Sequence, residues 1–552
     1  MNLAPDASHD LAFIPLGGTG EIGMNFNIYR CDGALLAVDC GLGFGGSENP
    51  EVDVLVPDPA WIAERRKKLV GLVITHAHED HIGAVAHLWR SLECPVYGTP
   101  FVITVLRRKL AEVGLGHEVP LHVIKPGAAF SLAPFECQFL RVTHSIPEAQ
   151  ALAIRTPYGT VLHTGDWKLD PFPLLGPPTD EPAFAALGEE GVLAMICDST
   201  NVLVDGRAGS EATVREALTK VIAAQKGRVA VALFATNVAR VESVALAAQA
   251  AGRQVALFGR SLRNAVNAAR ECGYLTRVPD FIAEEEASYL PDSELLLICT
   301  GSQGEERSAM AKIANDEHPH ISLGEGDTVI FSARMIPGNE RAVLRMQGEL
   351  ARAGARVITP DDAPGIHVSG HPAKDELRRL YALVKPKVAV PTHGEWRHLS
   401  EHAALAEEVG ADALLVEDGD IVRLAPGKAD VVGSAVVGRL AVDGNRLLPM
   451  EGGVLGARKR MLYNGVVVAS FAVDRSGKVL GQPQVAAPGL FDPAGEEPEQ
   501  LAEELARVMR ELPNALKRED DSLREAARAA LRKAVGRRLK KRPNVEVHLM
   551  RV

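Results

Sequence analysis

Thr75-His76-Ala77-His78-Glu79-Asp80-His81 follows the apolar run Gly71-Leu72-Val73-Ile74. A strand end thus delivers His76, His78, Asp80 and His81 onto a turn within six residues. His76 and His78 share a parity on the extended chain, and Asp80 and His81 fall where the chain bends towards a helix expected over 82–92. Imidazole and carboxylate are the ligands that Zn²⁺ or Mn²⁺ takes when no thiolate is offered. The spacing is that of a metal site rather than of a solvated polar turn.

The composition fits a folded protein. A chain of 552 residues holds about three or four domains on the usual length prior, and 46% hydrophobic content is ample for their cores. No apolar stretch approaches the roughly 20 residues that span a bilayer. Residues 1–6 lack the basic and apolar regions of a secretory signal. The seven cysteines are scattered, without a C-x-x-C, which argues against a disulfide framework or thiolate zinc site and for a reducing cytoplasm. The formal charge of −11 does not advertise a nucleic-acid binder. Residues 501–552 nevertheless carry 14 Lys/Arg against 8 Asp/Glu. The basic cluster from Arg532 to Arg542 reads equally as a solvated helix face or as an RNA-contacting patch.

The motif resembles the signature of the metallo-β-lactamase fold, an αββα sandwich with metals at the rim where strand ends meet. The resemblance implies further ligands, and strand-end motifs are present for each: His144, Asp166 and the distant His393. His76, His78 and His144 would then hold one metal and Asp80, His81 and His393 a second, with Asp166 bridging. Asp39 is the expected early carboxylate, orienting a ligand rather than binding metal. Two such metals activate a shared water and clamp the oxygens of an in-line displacement.

Residues 1–205 therefore read as the first part of this domain. From 206 to 360 the pattern changes to strands alternating with helices: strands over 229–234, 255–258, 295–299, 329–331 and 357–359, with helices over 237–251, 261–269 and 340–353. That rhythm is a parallel α/β domain. Because His393 lies beyond it, the domain is nested, and residues 361–425 return to complete the first. Residues 426–459 read as a linker with some strand character. Residues 460–552 read as a small α+β domain with a hairpin at 466–480 and a final strand over 545–550. Gly18-Thr19-Gly20-Glu21-Ile22-Gly23 matches G-x-G-x-x-G, but an apparent strand over 25–29 follows where a dinucleotide-binding fold needs a helix. It is taken as a tight turn at the active-site rim.

The nested domain, together with Asp198-Ser199-Thr200-Asn201, His367-Val368-Ser369-Gly370-His371 and Pro391-Thr392-His393-Gly394, resembles the β-CASP nucleases. Thr300-Gly301-Ser302-Gln303-Gly304-Glu305 and the 15–25 segment look like the ribonuclease J branch. This resemblance implies metal-dependent hydrolysis of RNA by 5′→3′ exonuclease and endonuclease action, with two Zn²⁺ or Mn²⁺ ions. It also implies single-stranded RNA as substrate and assembly into a dimer or tetramer through the C-terminal domain. Asp80 or Asp166 would position the attacking water or take its proton, His371 would protonate the departing 3′ oxygen or stabilise charge on the phosphorane, and Asp198 would hold the tautomer of His371. His367, Val368, Ser369, Gly370 and His371 suit a 5′-phosphate, with Ser302 and Gln303 adding donors; alternatively His367 and Ser369 only cap a helix. Phe234, Ala235 and Thr236 lie where a base would stack, or Phe234 belongs to the core. Arg334 is a candidate RNA-backbone contact. Thioester and lactone hydrolases share the metal motif but leave the nested domain without a role. A scaffold that has lost its metals does not fit seven filled ligand positions. Flavodiiron chemistry would place Glu at the position of His78.

Overall fold

Strands Leu11–Gly17 and Phe26–Cys31 are buried at every position, as strands covered on both faces are. The computed structural model describes residues 9–46, 49, 52–336, 338–492 and 494–552. Residues 1–6, read above for a secretory signal, lie outside them, as does Pro337 in the Arg334 segment. The two buried strands belong to an eight-stranded sheet in the order Asp430–Ser434, Asp420–Ala425, Leu11–Gly17, Phe26–Cys31, Ala34–Val38, Leu69–Val73, Val96–Gly98, Leu121–Val123. A seven-stranded sheet faces it, in the order Ala129–Leu132, Phe135–Arg141, Gln150–Thr156, Gly159–His163, Ala194–Asp198, Val388–Thr392, Asp412–Ala413. Phe13, Tyr29, Leu36 and Val73 of the first sheet pack with Phe139, Leu152, Ile154 and Val390 of the second. Fully burying each such side chain contributes roughly 1.5–3 kcal/mol of transfer free energy. Helix Pro100–Glu112 lies against the first sheet and Trp396–Glu408 against the second, which completes the αββα sandwich.

The nested domain is a five-stranded parallel sheet in the order Gln254–Phe258, Leu295–Cys299, Val229–Ala232, Thr328–Phe331, Arg356–Ile358. Its helices include Val238–Ala250, Arg260–Glu271 and Glu340–Arg352. The chain then returns, and Val388–Thr392 pairs in parallel with Ala194–Asp198, placing Thr392 opposite Asp198. The segments on either side of the insertion are therefore neighbours in one sheet.

Three local expectations change, and the tight Gly-rich turn stands as expected. The helix expected over 82–92 is two helices, Glu79–Ile82 and Val85–Leu92. The break occurs because the Ala84 N–H donates to the Cys40 carbonyl at 3.0 Å. The first nested strand stops at Ala232, short of Phe234. The Gly-rich turn is followed by strand Phe26–Cys31 and not a helix, and its Thr19–Gly20 pairs with Gly394–Glu395 beside His393. The 426–459 stretch holds strands Asp430–Ser434, Arg439–Asp443 and Arg446–Pro449, and helix Gly453–Asn464 runs through the expected boundary at 459/460.

A second compact unit comprises Leu440–Val552 with Asn49–Asp53. Its sheet is ordered Val479–Ala486, Val466–Val473, Asn544–Arg551. Val466–Val473 alternates buried and half-buried positions, the period of a strand with one covered face. Helices Glu497–Glu511 and Asp520–Leu539 supply Leu505, Leu523 and Leu531 to a core with Val467, Phe471 and Val545. In the basic cluster, Arg537 and Arg538 both pair with Glu504. No described helix is long and apolar enough to cross a membrane.

The turn that carries the histidines is laced to neighbouring strand ends. Cys40 N donates to His81 O at 2.7 Å, Leu42 N to Glu79 O at 3.0 Å and Asn25 N to Asp80 O at 2.9 Å. A Cβ on Gly41 would lie 1.7 Å from the Asp80 carbonyl oxygen. Gly41→Ala is therefore expected to displace Asp80 and His81 and to lower bound metal at least tenfold, read by metal analysis of the purified protein. Full metal content in that variant would show that the turn can shift without cost to the ligands.

Candidate metal centre and substrate site

Three clusters of ligand atoms, each within 4.8 Å of one another, converge at the strand ends: His76, His78, His144, Asp166; Asp80, His81, Asp166, His393; and Asp166, Asp198, His371, His393. All seven expected ligands are thus brought together, and Asp166 is common to every cluster. His78 Nδ1 lies 3.2 Å from His76 Nε2 and 3.0 Å from His144 Nε2. Asp166 Oδ2 lies 3.3 Å from His81 Nε2, and Asp166 Oδ1 lies 3.0 Å from His393 Nδ1.

Hydrogen bonds fix which nitrogens face inward. Asp39, fully buried, accepts from Thr75 N at 2.8 Å, from Thr75 Oγ1 at 2.9 Å and from His81 Nδ1 at 2.8 Å. With its hydroxyl proton directed at Asp39, Thr75 Oγ1 accepts from His76 Nδ1 at 3.0 Å. The Gly370 carbonyl accepts from His144 Nδ1 at 2.6 Å. Thr200 Oγ1 donates to the His393 carbonyl at 3.0 Å and lies 3.1 Å from His393 Nδ1. Nε2 of His76 and His144 is therefore a lone pair in the neutral rings. At His78 Nδ1, two such lone pairs converge on a nitrogen that carries at most one proton. A divalent cation suits this donor set, because tetrahedral sites with Zn–N near 2.05 Å separate their ligand nitrogens by about 3.3 Å.

The electrostatics divide the same residues. Burial, reinforced by neighbouring imidazoles, holds His76 and His144 well below the ordinary histidine value and brings His78 down to about 4. Burial opposes charge on His81 and His393 too, but Asp166 and the other carboxylates outweigh it and raise both. Burial also works against the Asp80 and Asp166 carboxylates, which the same two histidines return to below the usual range. Cation binding at His81 and His393 would have to displace protons.

Thr75, Thr200, Asn25 and the Gly370 carbonyl were not singled out from sequence. A Thr before His76 and a Thr after Asp198 were the available signals; a backbone carbonyl gives none. Asp39→Asn keeps a side chain that tolerates the φ of +62° at this position but leaves one acceptor oxygen for three donors. It is expected to weaken metal binding by about 10–100-fold, measured by chelator competition.

Four regions of the chain match described families. Residues 36–177 match "Beta-lactamase superfamily domain" and 226–350 "Ribonuclease J, beta-CASP domain". Residues 365–416 match "Zn-dependent metallo-hydrolase RNA specificity domain" and 453–552 "Ribonuclease J C-terminal domain". Ribonuclease J of Sinorhizobium meliloti is 43% identical over 99% of this chain and 99% of its own length. The chain belongs to the ribonuclease J family. Ribonuclease J of Mycolicibacterium smegmatis is 39% identical over 98% of this chain and 97% of its own. A crystal structure of a protein of unknown function from Enterococcus faecalis shares the fold, with a TM-score of 0.51 at 16% identity, over 75% of this chain and all of that one.

His371 Nδ1 lies 2.8 Å from Asp198 Oδ2, so the carboxylate holds the Nδ1–H tautomer and leaves Nε2 free. Burial lowers the His371 pKa, but Asp198 and Asp166 more than compensate and raise it. His367, Val368, Ser369 and Gly370 are all half-buried. Neither His367 nor Ser369 caps the following helix: Lys374–Val384 has Ala373 as its N-cap, held by Glu376, and Ser369 Oγ instead accepts from His371 N at 3.1 Å. Phe234 is 38% exposed, with its ring 5.5 Å from that of His78, so it belongs to the site rim and not to the core. Ala235 and Thr236 continue the turn before helix Val238–Ala250. Ser302 is buried. The Gln303 amide donates one N–H to Arg334 O at 2.8 Å and accepts from Ile336 N at 3.0 Å, which anchors it to a loop beside Arg334. Arg334 is exposed and reaches Asn201 Oδ1 at 3.3 Å.

Proposed function

We propose that this protein hydrolyses RNA phosphodiester bonds with two divalent metals, as a 5′→3′ exonuclease preferring a 5′-monophosphate and with endonuclease activity. The observation that carries the reading is Asp166, shared by the clusters that would hold each metal and by the one containing His371. His76, His78 and His144 would hold one ion, Asp80, His81 and His393 the other, with Asp166 between them. When bound, Zn²⁺ or Mn²⁺ supplies Lewis acidity and a water activated for attack on phosphorus. Asp80 or Asp166 would orient the attacking water or take its proton. His371 donates from Nε2 to the departing 3′ oxygen while Asp198 holds its ring.

His367, Val368, Ser369, Gly370 and Ser302 receive the terminal 5′-phosphate, and Phe234, Ala235 and Thr236 take the adjacent base. Domains divide as 1–205 and 361–425 for the metallo-β-lactamase part and 206–360 for the β-CASP part, with the residues from 426 onward forming the connector and the C-terminal domain, whose helix Gly453–Asn464 spans the 459/460 boundary read from sequence. The C-terminal domain assembles the chain into a dimer or tetramer. RNA maturation and decay in the cytoplasm is the setting, supported by seven unpaired cysteines.

The test uses single-stranded RNA labelled at its 3′ end, with a 5′-monophosphate or 5′-triphosphate, in Mn²⁺ or Zn²⁺, with wild type and His81→Ala. Mononucleotide release favouring the monophosphate, and absent in the variant, is expected. RNA left intact under every metal condition would overturn the reading.

A further inference from the structure

Arg240 is only 1% exposed, on helix Val238–Ala250 of the nested domain. Its Nε and Nη2 donate to the Glu211 carboxylate at 3.0 and 2.6 Å. Its Nη1 donates to the Ser332 carbonyl at 2.8 Å and the Ser332 hydroxyl at 2.9 Å, and faces His367 Nδ1 at 3.4 Å. The Ser332 hydroxyl in turn donates to the Ile366 carbonyl at 2.6 Å. One buried cation thus fixes both the ring of His367 and the peptide before it.

A guanidinium has five N–H donors, no acceptor, and does not lose its proton in proteins. The nitrogen of His367 that faces it is therefore the lone-pair nitrogen, and the single proton of the neutral ring sits on Nε2. A second proton on Nδ1 would point into the guanidinium. The charged groups around the ring are Arg240, Lys168 and Arg334 on one side of the balance and Glu211, already doubly engaged by Arg240, on the other.

We infer that Arg240 is a positioning residue that fixes His367 as a neutral Nε2–H donor, so that the 5′-phosphate is recognised there by a hydrogen bond and not by an imidazolium. This rests on the reading of residues 367–371 as the 5′-phosphate site. Burial first, and Arg240 second, bring the His367 pKa down to about 3, in keeping with the geometry. The device removes a pH dependence that an ordinary histidine, titrating near 6.5, would impose on end recognition.

The experiment measures KM for 5′-monophosphate and 5′-hydroxyl RNA of the same sequence between pH 6.5 and 9. In that window the phosphate itself, with its second pKa near 6, changes little. For wild type the KM ratio is expected to stay constant within about twofold. His367→Gln, whose amide offers an acceptor to Arg240 and a donor to the phosphate, is expected to keep most of the preference. His367→Leu is expected to lose about tenfold, the worth of one hydrogen bond to a charged group. Replacing the buried pair together, Arg240→Met with Glu211→Leu, is expected to reduce the preference in wild type but to cause no further loss in the His367→Leu background.

A wild-type ratio that falls tenfold or more across the window would overturn the inference. So would His367→Gln behaving like His367→Leu, or additive losses in the combined variant. The profile and the His367→Gln result decide it even where the paired variant does not fold. A wild-type enzyme with no preference at any pH would instead remove the 5′-phosphate reading, and the inference with it.

Discussion

Asp166→Asn is expected to lower RNA hydrolysis by about 10³-fold or more and to reduce bound metal. Asp166 is 3% exposed and places one carboxylate among His76, His81, His144 and His393, at 3.0–3.8 Å from nitrogens of all four. Asparagine preserves the shape but offers one acceptor oxygen, lacks the charge, and turns an N–H₂ towards cationic or metal-bearing neighbours. Transition-state charge stabilisation by bound metal is worth several kcal/mol, and each 1.36 kcal/mol is a decade in rate. The checks are single-turnover cleavage of 5′-monophosphate RNA and metal content per chain by atomic emission. Wild-type metal content with wild-type turnover would remove Asp166 from the centre and the two-metal reading with it.

His371→Gln is expected to have the next largest effect, a fall of about 10²–10⁴-fold in kcat with metal content unchanged. The second half of that expectation matters because His371 also falls in a cluster with Asp166, Asp198 and His393 that has the spacing of a metal site. Loss of metal in the variant would make His371 a ligand; retention leaves it as the proton donor. Asp198→Asn is expected to act through the same imidazole, so the double variant should be little worse than His371→Gln alone. The pH profile adds a sign. Asp198 helps to raise the His371 pKa, so the protonated ring persists above the ordinary value and activity falls only as pH rises past the raised one. Without the Asp198 charge, that alkaline limb is expected at lower pH.

The nested domain shows how the expected elements compare with the folded ones. Its strands were visible as apolar runs because a parallel sheet covered on both faces needs near-continuous Val, Leu and Ile; Leu295–Cys299 is buried throughout. Ends were less legible. Phe234 has the residue type of a strand interior, yet strand pairing stops at Ala232 and the ring turns out towards His78. The Gln303 side chain, expected as a substrate donor, also holds the loop at Arg334 and Ile336, a contact that no local pattern announces.

By itself, the sequence determined the sandwich and the nesting through its resemblance to metallo-β-lactamase and β-CASP motifs, and it marked the candidate ligands because they lie at or just beyond the ends of apolar runs. It also determined the Asp198–His371 pairing as chemistry, since a carboxylate is the usual partner of a proton-transferring histidine. What only the tertiary structure decided is how those ligands are aimed. Thr75 relays Asp39 to His76, the Gly370 carbonyl orients His144 from 226 residues away, and Arg240 reaches His367 across 127. Hydrogen bonds depend on distances of a few tenths of an ångström between strand ends and loops. Such distances are set by how two sheets and a nested domain pack together, and no local pattern of residues encodes them.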